Sequence, residues 1–161
     1  MSRKTKGFSL LELAVVLTIL SMLVSLAVPT YTTYVHRARE AEAFLQVETI
    51  AYLEEVRVLE LGAPIALPPN PSSRPGPRPA MFEQQSAWSD LGLRIEGPLY
   101  FQYRVDLEGS DHFIVTALGD VDGDGEFTRV TLSSQDLVVR RTIGPASNDE
   151  LGAGVTGGRQ R

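Results

Sequence analysis

Apolar positions follow three different periods along this chain. From Phe8 to Val28, twenty-one residues run almost unbroken, with only Ser9, Glu12, Thr18, Ser21 and Ser25 polar. As a helix the run spans about 32 Å at roughly 1.5 Å per residue, long enough to cross a bilayer. Ala14, Thr18, Ser21 and Ser25 are spaced 4, 3 and 4, so small residues share one narrow face that lets helices approach closely. The alternative is that the hydroxyls bond their own preceding carbonyls. Pro29 offers no amide to the carbonyl of Ser25, which predicts a kink in a helix that continues. Beyond it Tyr31, Tyr34, Val35, Ala38, Ala41 and Leu45 recur at helical spacing among His36, Arg37, Arg39, Glu40 and Glu42. This predicts an amphipathic helix, continuing through Phe44, Val47, Ile50 and Ala51 to Leu61, where Gly62 and Pro64 stop it.

The second half changes period. Gly62 to Pro79 holds seven of the ten prolines, which predicts loop rather than helix or central strand. Met81 to Leu91 predicts a short helical turn before Gly92, with Phe82, Trp88 and Leu91 in the core. Leu99 to Val105, Phe113 to Leu118 and Phe127 to Leu132 are short, β-rich and separated by turn residues, and Leu137 to Ile143 adds an edge strand. The expected fold is α+β: a long N-terminal helix whose amphipathic half packs on an antiparallel sheet of three or four strands.

Three readings compete for the apolar run: a cleaved secretory signal, a plain anchor, and a helix that changes environment. Ser25-Leu26-Ala27 would suit a signal peptidase, leaving a chain that begins at Val28. Glu12 argues against the first two, because a carboxylate within the hydrocarbon costs about 2.5 to 3.5 kcal/mol. Arg3, Lys4 and Lys6 precede the run and no comparable cluster follows, so the N-terminus stays cytoplasmic and the remainder is exported.

The stretch GFSLLELAVVLTILSMLVSLAVP, with its basic leader ending in Gly7, then Phe8, then Glu12, about sixteen apolar residues and Pro29, resembles the N-terminus of type IV pilins and of type II secretion pseudopilins. The resemblance implies that a prepilin peptidase removes residues 1–7 by cutting between Gly7 and Phe8, and that Phe8 is then N-methylated. It also implies that Glu12 engages the N-terminal amine of a neighbouring subunit during assembly. The amine lies one helical turn from Glu12, and opposite charges attract strongly in a low-dielectric setting. An acid that merely reaches back to the headgroups is the alternative. By the same resemblance the chain before Pro29 can extend on assembly, the proline-rich region lies at subunit contacts, and an inner-membrane platform and motor move the subunit from lipid into a filament of copies of itself. The organisation expected is a leader at 1–7, a membrane or filament-core helix at 8–28, an amphipathic helix at 29–61, a proline-rich loop with a helical turn at 62–98, a sheet at 99–143 and a tail at 144–161. A main filament subunit serving adhesion or motility, a minor pilin and a pseudopilin all fit. Outside the family, a membrane-anchored calcium-binding domain fits as well.

Charge and composition then narrow the chemistry. The 161 residues carry 15 basic and 20 acidic side chains. Removing Arg3, Lys4 and Lys6 leaves twelve basic against twenty acidic, a formal −8 with no lysine, which argues against nucleic acid as a partner. There is no cysteine, hence no thiol nucleophile or disulfide, and His36 and His112 sit in no recognisable catalytic constellation, so no enzyme is expected. No cofactor is required. One loop is a candidate calcium site: Asp120-Val121-Asp122-Gly123-Asp124-Gly125-Glu126 opens like a D-x-D-x-D-G loop. An EF-hand would need its bidentate acid at Thr131, so the ligand set would be Asp120, Asp122, Asp124 and Glu126 or a backbone carbonyl. An acidic hairpin turn without a ligand is the other reading.

Overall fold

The computed structural model describes residues 7–145, and the chain divides into two compact units, Met1–Ala38 and Arg39–Arg161. One helix, α1 (Leu10–Leu61, 52 residues), contributes to both. Among the described residues it is the one helix long and apolar enough to cross a membrane. It continues through Pro29, and the hydroxyls of Thr32 and Thr33 both donate to the Pro29 carbonyl at 3.0 and 2.9 Å. Within the first unit, the Thr18 and Ser21 hydroxyls bond the carbonyls of Ala14 and Leu17 at 2.8 and 2.7 Å. These two residues of the small-residue face therefore satisfy themselves along their own helix. The helix ends as its sequence demands: Gly62 takes a positive φ of 83° and its amide bonds the Val58 carbonyl at 2.9 Å.

In the second unit the sheet follows the expected order of strands but is larger. Strands β1 (Leu67–Asn70), β4 (Gln102–Glu108), β5 (His112–Gly119), β6 (Glu126–Ser133) and β7 (Val139–Pro145) form a five-stranded antiparallel sheet in the order β1-β4-β5-β6-β7. A separate pair joins β2 (Ala80–Met81) to β3 (Pro98–Leu99), with the helical turn α2 (Ser86–Asp90) between them. The proline-rich segment is therefore not loop throughout. Leu67 and Asn70 pair with Val105 and Tyr103, and an edge position tolerates Pro68 and Pro69 because amides on its open side need no partner. The sheet region starts earlier and ends later than 99–143, since β1 and β2 precede it and β7 takes in Gly144 and Pro145. The rest of the tail, 146–161, lies outside the described residues.

Register decides which side chains meet the helix. Tyr103, Ala117 and Val130 are cross-strand neighbours, as are Val105, Val115 and Leu132, and all six are buried. Facing them, α1 buries Ala43, Val47, Ile50, Ala51 and Glu54. This corrects the expected packing stripe in part. Val47, Ile50 and Ala51 do pack, but Tyr31, Tyr34, Ala38, Ala41 and Leu45 are exposed. Trp88 on α2 is fully buried, meets the edge of Phe82 at 5.5 Å, and donates its indole N–H to the Pro68 carbonyl at 3.0 Å. Residues that follow β1 cover the far face of the sheet. The Pro71 carbonyl accepts from the Gln102 amide at 2.7 Å, and the Arg74 guanidinium lies 4.8 Å over the Phe127 ring.

Polar groups fasten helix to sheet. Glu42 accepts from the Tyr103 hydroxyl at 3.0 Å and the Tyr100 amide at 3.2 Å, and Arg141 on β7 pairs with Glu40 at 2.6 Å. Glu54 is fully buried, with one oxygen accepting from the Ile65 amide at 3.0 Å and the other without a partner. Burial raises the Glu42 and Glu54 carboxyls above the ordinary carboxylate range, and the hydrogen bonds they accept only partly oppose it. A carboxyl raised by folding favours the folded state while it is protonated and loses that contribution as pH rises through its folded value. Glu54→Gln keeps an acceptor for Ile65 and removes a charge that is half unsatisfied. Relative to the parent, the variant should gain stability as pH rises from the ordinary carboxylate range toward 7. Thermal melts of both proteins across that range give the comparison; equal melting temperatures at every pH would contradict it.

Candidate functional site

The N-terminal end of α1 is built by a local capping arrangement. Gly7, Phe8 and Ser9 precede the helix without regular structure. The Ser9 hydroxyl accepts from the Glu12 amide at 3.2 Å and the Ser9 carbonyl from the Leu13 amide at 3.1 Å. Ser9 is thus the N-cap and Glu12 the third helical residue, the S-x-x-E spacing of a capping box. Glu12 stands in the first turn, where the helix dipole favours negative charge. Ser9 has a role that the sequence reading missed, although Ser9-Leu10-Leu11-Glu12 directly before an apolar run was its signal. Phe8 is 72% exposed, so the Gly7–Phe8 bond sits in accessible, non-helical backbone. A Cβ built on Gly7 would meet nothing within 4 Å, so nothing in the described fold requires glycine there.

From Leu10 onward every residue of the apolar run to Val28 is exposed, and the most apolar window of α1 has no buried share at all. A water-soluble domain does not hold that much contiguous apolar surface outside a core. The first unit therefore presents a cap, a first-turn acid, an apolar helix and, at its end, Pro29.

The second place of interest is the turn between β5 and β6. Asp120, Asp122 and Asp124 each offer a carboxylate oxygen, all within 4.8 Å of one another. Amides partly offset the resulting repulsion: Asp120 accepts from Gly123 at 2.7 Å and from Gly125 at 3.2 Å, and Asp124 from Glu126 at 2.7 Å. Gly123 holds a φ of 80°, and a Cβ on it would come within 2.7 Å of Pro77, so the proline-rich segment braces the turn from one side. Arg39 braces it from the other, donating to the Val121 carbonyl at 3.2 Å and lying 4.3 Å over the Tyr100 ring. The donor set suits a hard cation, with three carboxylates and lone pairs left over. Glu126 contributes its backbone amide to Asp124 and is not among the gathered carboxylates. Thr131 lies within β6, as expected of a loop that is not an EF-hand.

Among the described residues His36 and His112 gather no catalytic partners. His112 opens β5, and its Nδ1 is 3.5 Å from the Ser134 hydroxyl, a long contact; that hydroxyl already accepts from the Phe113 amide at 3.0 Å.

Comparison with known proteins agrees with the geometry of the first unit. A family model described as the prokaryotic N-terminal methylation motif matches residues 2–28, which covers the basic leader, the Gly7–Phe8 bond, Ser9, Glu12 and the apolar run. No solved structure matches the chain. The motif is the one that marks type IV pilins and pseudopilins, and this chain carries it at the head of a 52-residue helix that is followed by an antiparallel sheet.

Proposed function

We propose that the protein is the structural subunit of an extracellular helical filament, made as a single-pass inner-membrane precursor with a cytoplasmic N-terminus. A prepilin peptidase removes residues 1–7, Phe8 is N-methylated, and an assembly platform with its motor draws the subunit out of the membrane. The observation that carries this reading is the wholly exposed apolar run opened by a capped acid. Lipid covers that surface in the precursor and the helices of other copies cover it in the filament, so one apolar environment replaces another. The new amine on Phe8 and Glu12 of a neighbouring copy neutralise each other where water is excluded. No catalytic group and no resident cofactor enter this role, and adhesion or motility is the use such a fibre serves.

Shearing surface filaments from cells and quantifying this chain in them tests the proposal. An abundant subunit is the expected result. Trace incorporation would instead make it a minor pilin, and retention in the envelope beside a working secretion system would make it a pseudopilin.

Calcium at the Asp120, Asp122 and Asp124 turn is part of the same proposal. Bound there, the cation would supply the positive charge that three crowded carboxylates lack, and would stiffen the β5–β6 connection without taking part in chemistry. Saturating calcium at about 100 times its dissociation constant should stabilise the fold by about 2.7 kcal/mol, read as a rise in melting temperature that Asp122→Ala abolishes. An unchanged melting temperature in the parent protein would remove calcium from the account and leave an acidic hairpin turn.

A further inference from the structure

We infer that the groove between the last turns of α1 and the start of β5 receives Tyr34 and Arg37 of a second copy of this chain. The inference rests on the filament reading and names a contact by which one subunit meets the next. The groove has a volume of about 340 Å³. Val58, Leu59 and Phe113 supply its apolar walls, and Glu55 and Asp111 its two carboxylates. Leu59 is 86% exposed, a large apolar side chain left on the surface at the groove's edge. Among the described residues neither carboxylate makes a hydrogen bond or ion pair through its side chain. His112 and Ser134, which also line the groove, face each other instead. The groove therefore calls for a ligand with an apolar body and a cationic end.

The chain itself holds such a ligand. Arg37 is the sole lysine or arginine between Phe8 and Ala38. Tyr34 stands one turn before it on the same helical face and is 71% exposed. Neither side chain has a partner among the described residues. Other arginines are committed: Arg39 to Val121 and Tyr100, Arg104 to Asp106, Arg140 to Asp136 and Arg141 to Glu40. Arg57 interacts with the buried Glu54, and Arg78 is flanked by Pro77 and Pro79 with no aromatic side chain beside it. Among the described residues Arg37 alone joins an uncommitted guanidinium to an exposed ring, and a guanidinium matches carboxylates in both geometry and charge. Groove and ligand are different patches of one chain, so the contact is heterologous and repeats without closing, as a fibre requires. One rim pair of this kind is weak, but a filament repeats it at every subunit.

Charge exchange in the full-length chain tests the contact. Arg37→Glu should reduce sheared filament yield by about tenfold, because like charges placed opposite each other are strongly disfavoured. The pair Glu55→Arg with Asp111→Arg should do the same, and the three substitutions together should restore yield to within about threefold of the parent. Parent-level yield from Arg37→Glu overturns the contact and leaves the filament reading standing, as does failure of the combined variant to recover with an unchanged melting temperature. A parent chain that enters no filament overturns the filament reading itself. Since the chain has no cysteine, a second measurement decides the matter if the charge variants fold poorly. Arg37→Cys with Asp111→Cys should give disulfide-linked multimers in filaments, absent from either single variant, and filaments of the double variant without such multimers would exclude the contact.

Discussion

Glu12→Ala is expected to insert into the membrane and lose residues 1–7 as the parent does, yet to yield at least about tenfold fewer filaments. Insertion depends on apolar length and on the basic residues before it, and the substitution makes the run more apolar. Assembly depends on the charge. Truncating one partner of a desolvated charge pair costs about 2–5 kcal/mol, because the other charge is left without compensation, and each 1.4 kcal/mol is about tenfold. Glu12 stands in the first turn of α1 with its amide held by Ser9, so its place at the helix start is fixed. Glu12→Gln keeps the size and loses the charge, and should fail equally. Normal filament yield from either variant, with cleavage intact on a gel, would contradict the pairing mechanism. Ser9→Ala makes a milder companion: the cap is worth about 1 kcal/mol, and only a modest loss of yield is expected.

Trp88→Ala should destabilise the second unit by about 3–5 kcal/mol, enough to unfold a marginal domain. The indole is fully buried, is met edge-on by Phe82, and satisfies the carbonyl of Pro68. Its removal leaves a cavity and takes away the donor to the Pro68 carbonyl at the same place. Because that carbonyl belongs to β1, the edge strand should loosen with it. Hydrogen exchange at the amides of Leu67 and Asn70 should rise before those of β5 and β6. A variant that melts within about 1 kcal/mol of the parent would show that Trp88 is not what holds β1 and α2 in place.

The sequence was most readable where one physical demand acts alone. The apolar run, its leader and Glu12 announce themselves because lipid tolerates few residues. Gly62 and Pro64 mark the helix end because they cannot continue it. Four of the strands declared themselves through β-rich runs between turns. What stayed hidden depended on tertiary partners. Leu67 to Asn70 looked like loop because two prolines lie inside it. Its strand character comes from the ladder with Tyr103 and Val105 and from Asn70, whose side chain exchanges hydrogen bonds with the backbone of Glu83 at 2.8 and 2.9 Å. Helical spacing also favoured the wrong stripe around Tyr34 and Leu45, because the buried face of α1 enters at the small Ala43, runs through the expected Val47, Ile50 and Ala51, and closes with Glu54, an acid that pattern alone assigns to water. At the candidate sites, Ser9 was legible as half of a capping box. The groove at Glu55 and Asp111 was not, since sequence does not bring residues 55 and 111 together.

The central claim is that this chain is processed at Gly7–Phe8 and then buries its apolar helix among copies of itself. Mass analysis of the N-terminal peptide of the protein recovered from sheared filaments tests it most directly. The account predicts a peptide that begins at N-methylated Phe8 with Glu12 unmodified. A peptide that begins at Val28, or one that still carries residues 1–7, would contradict it.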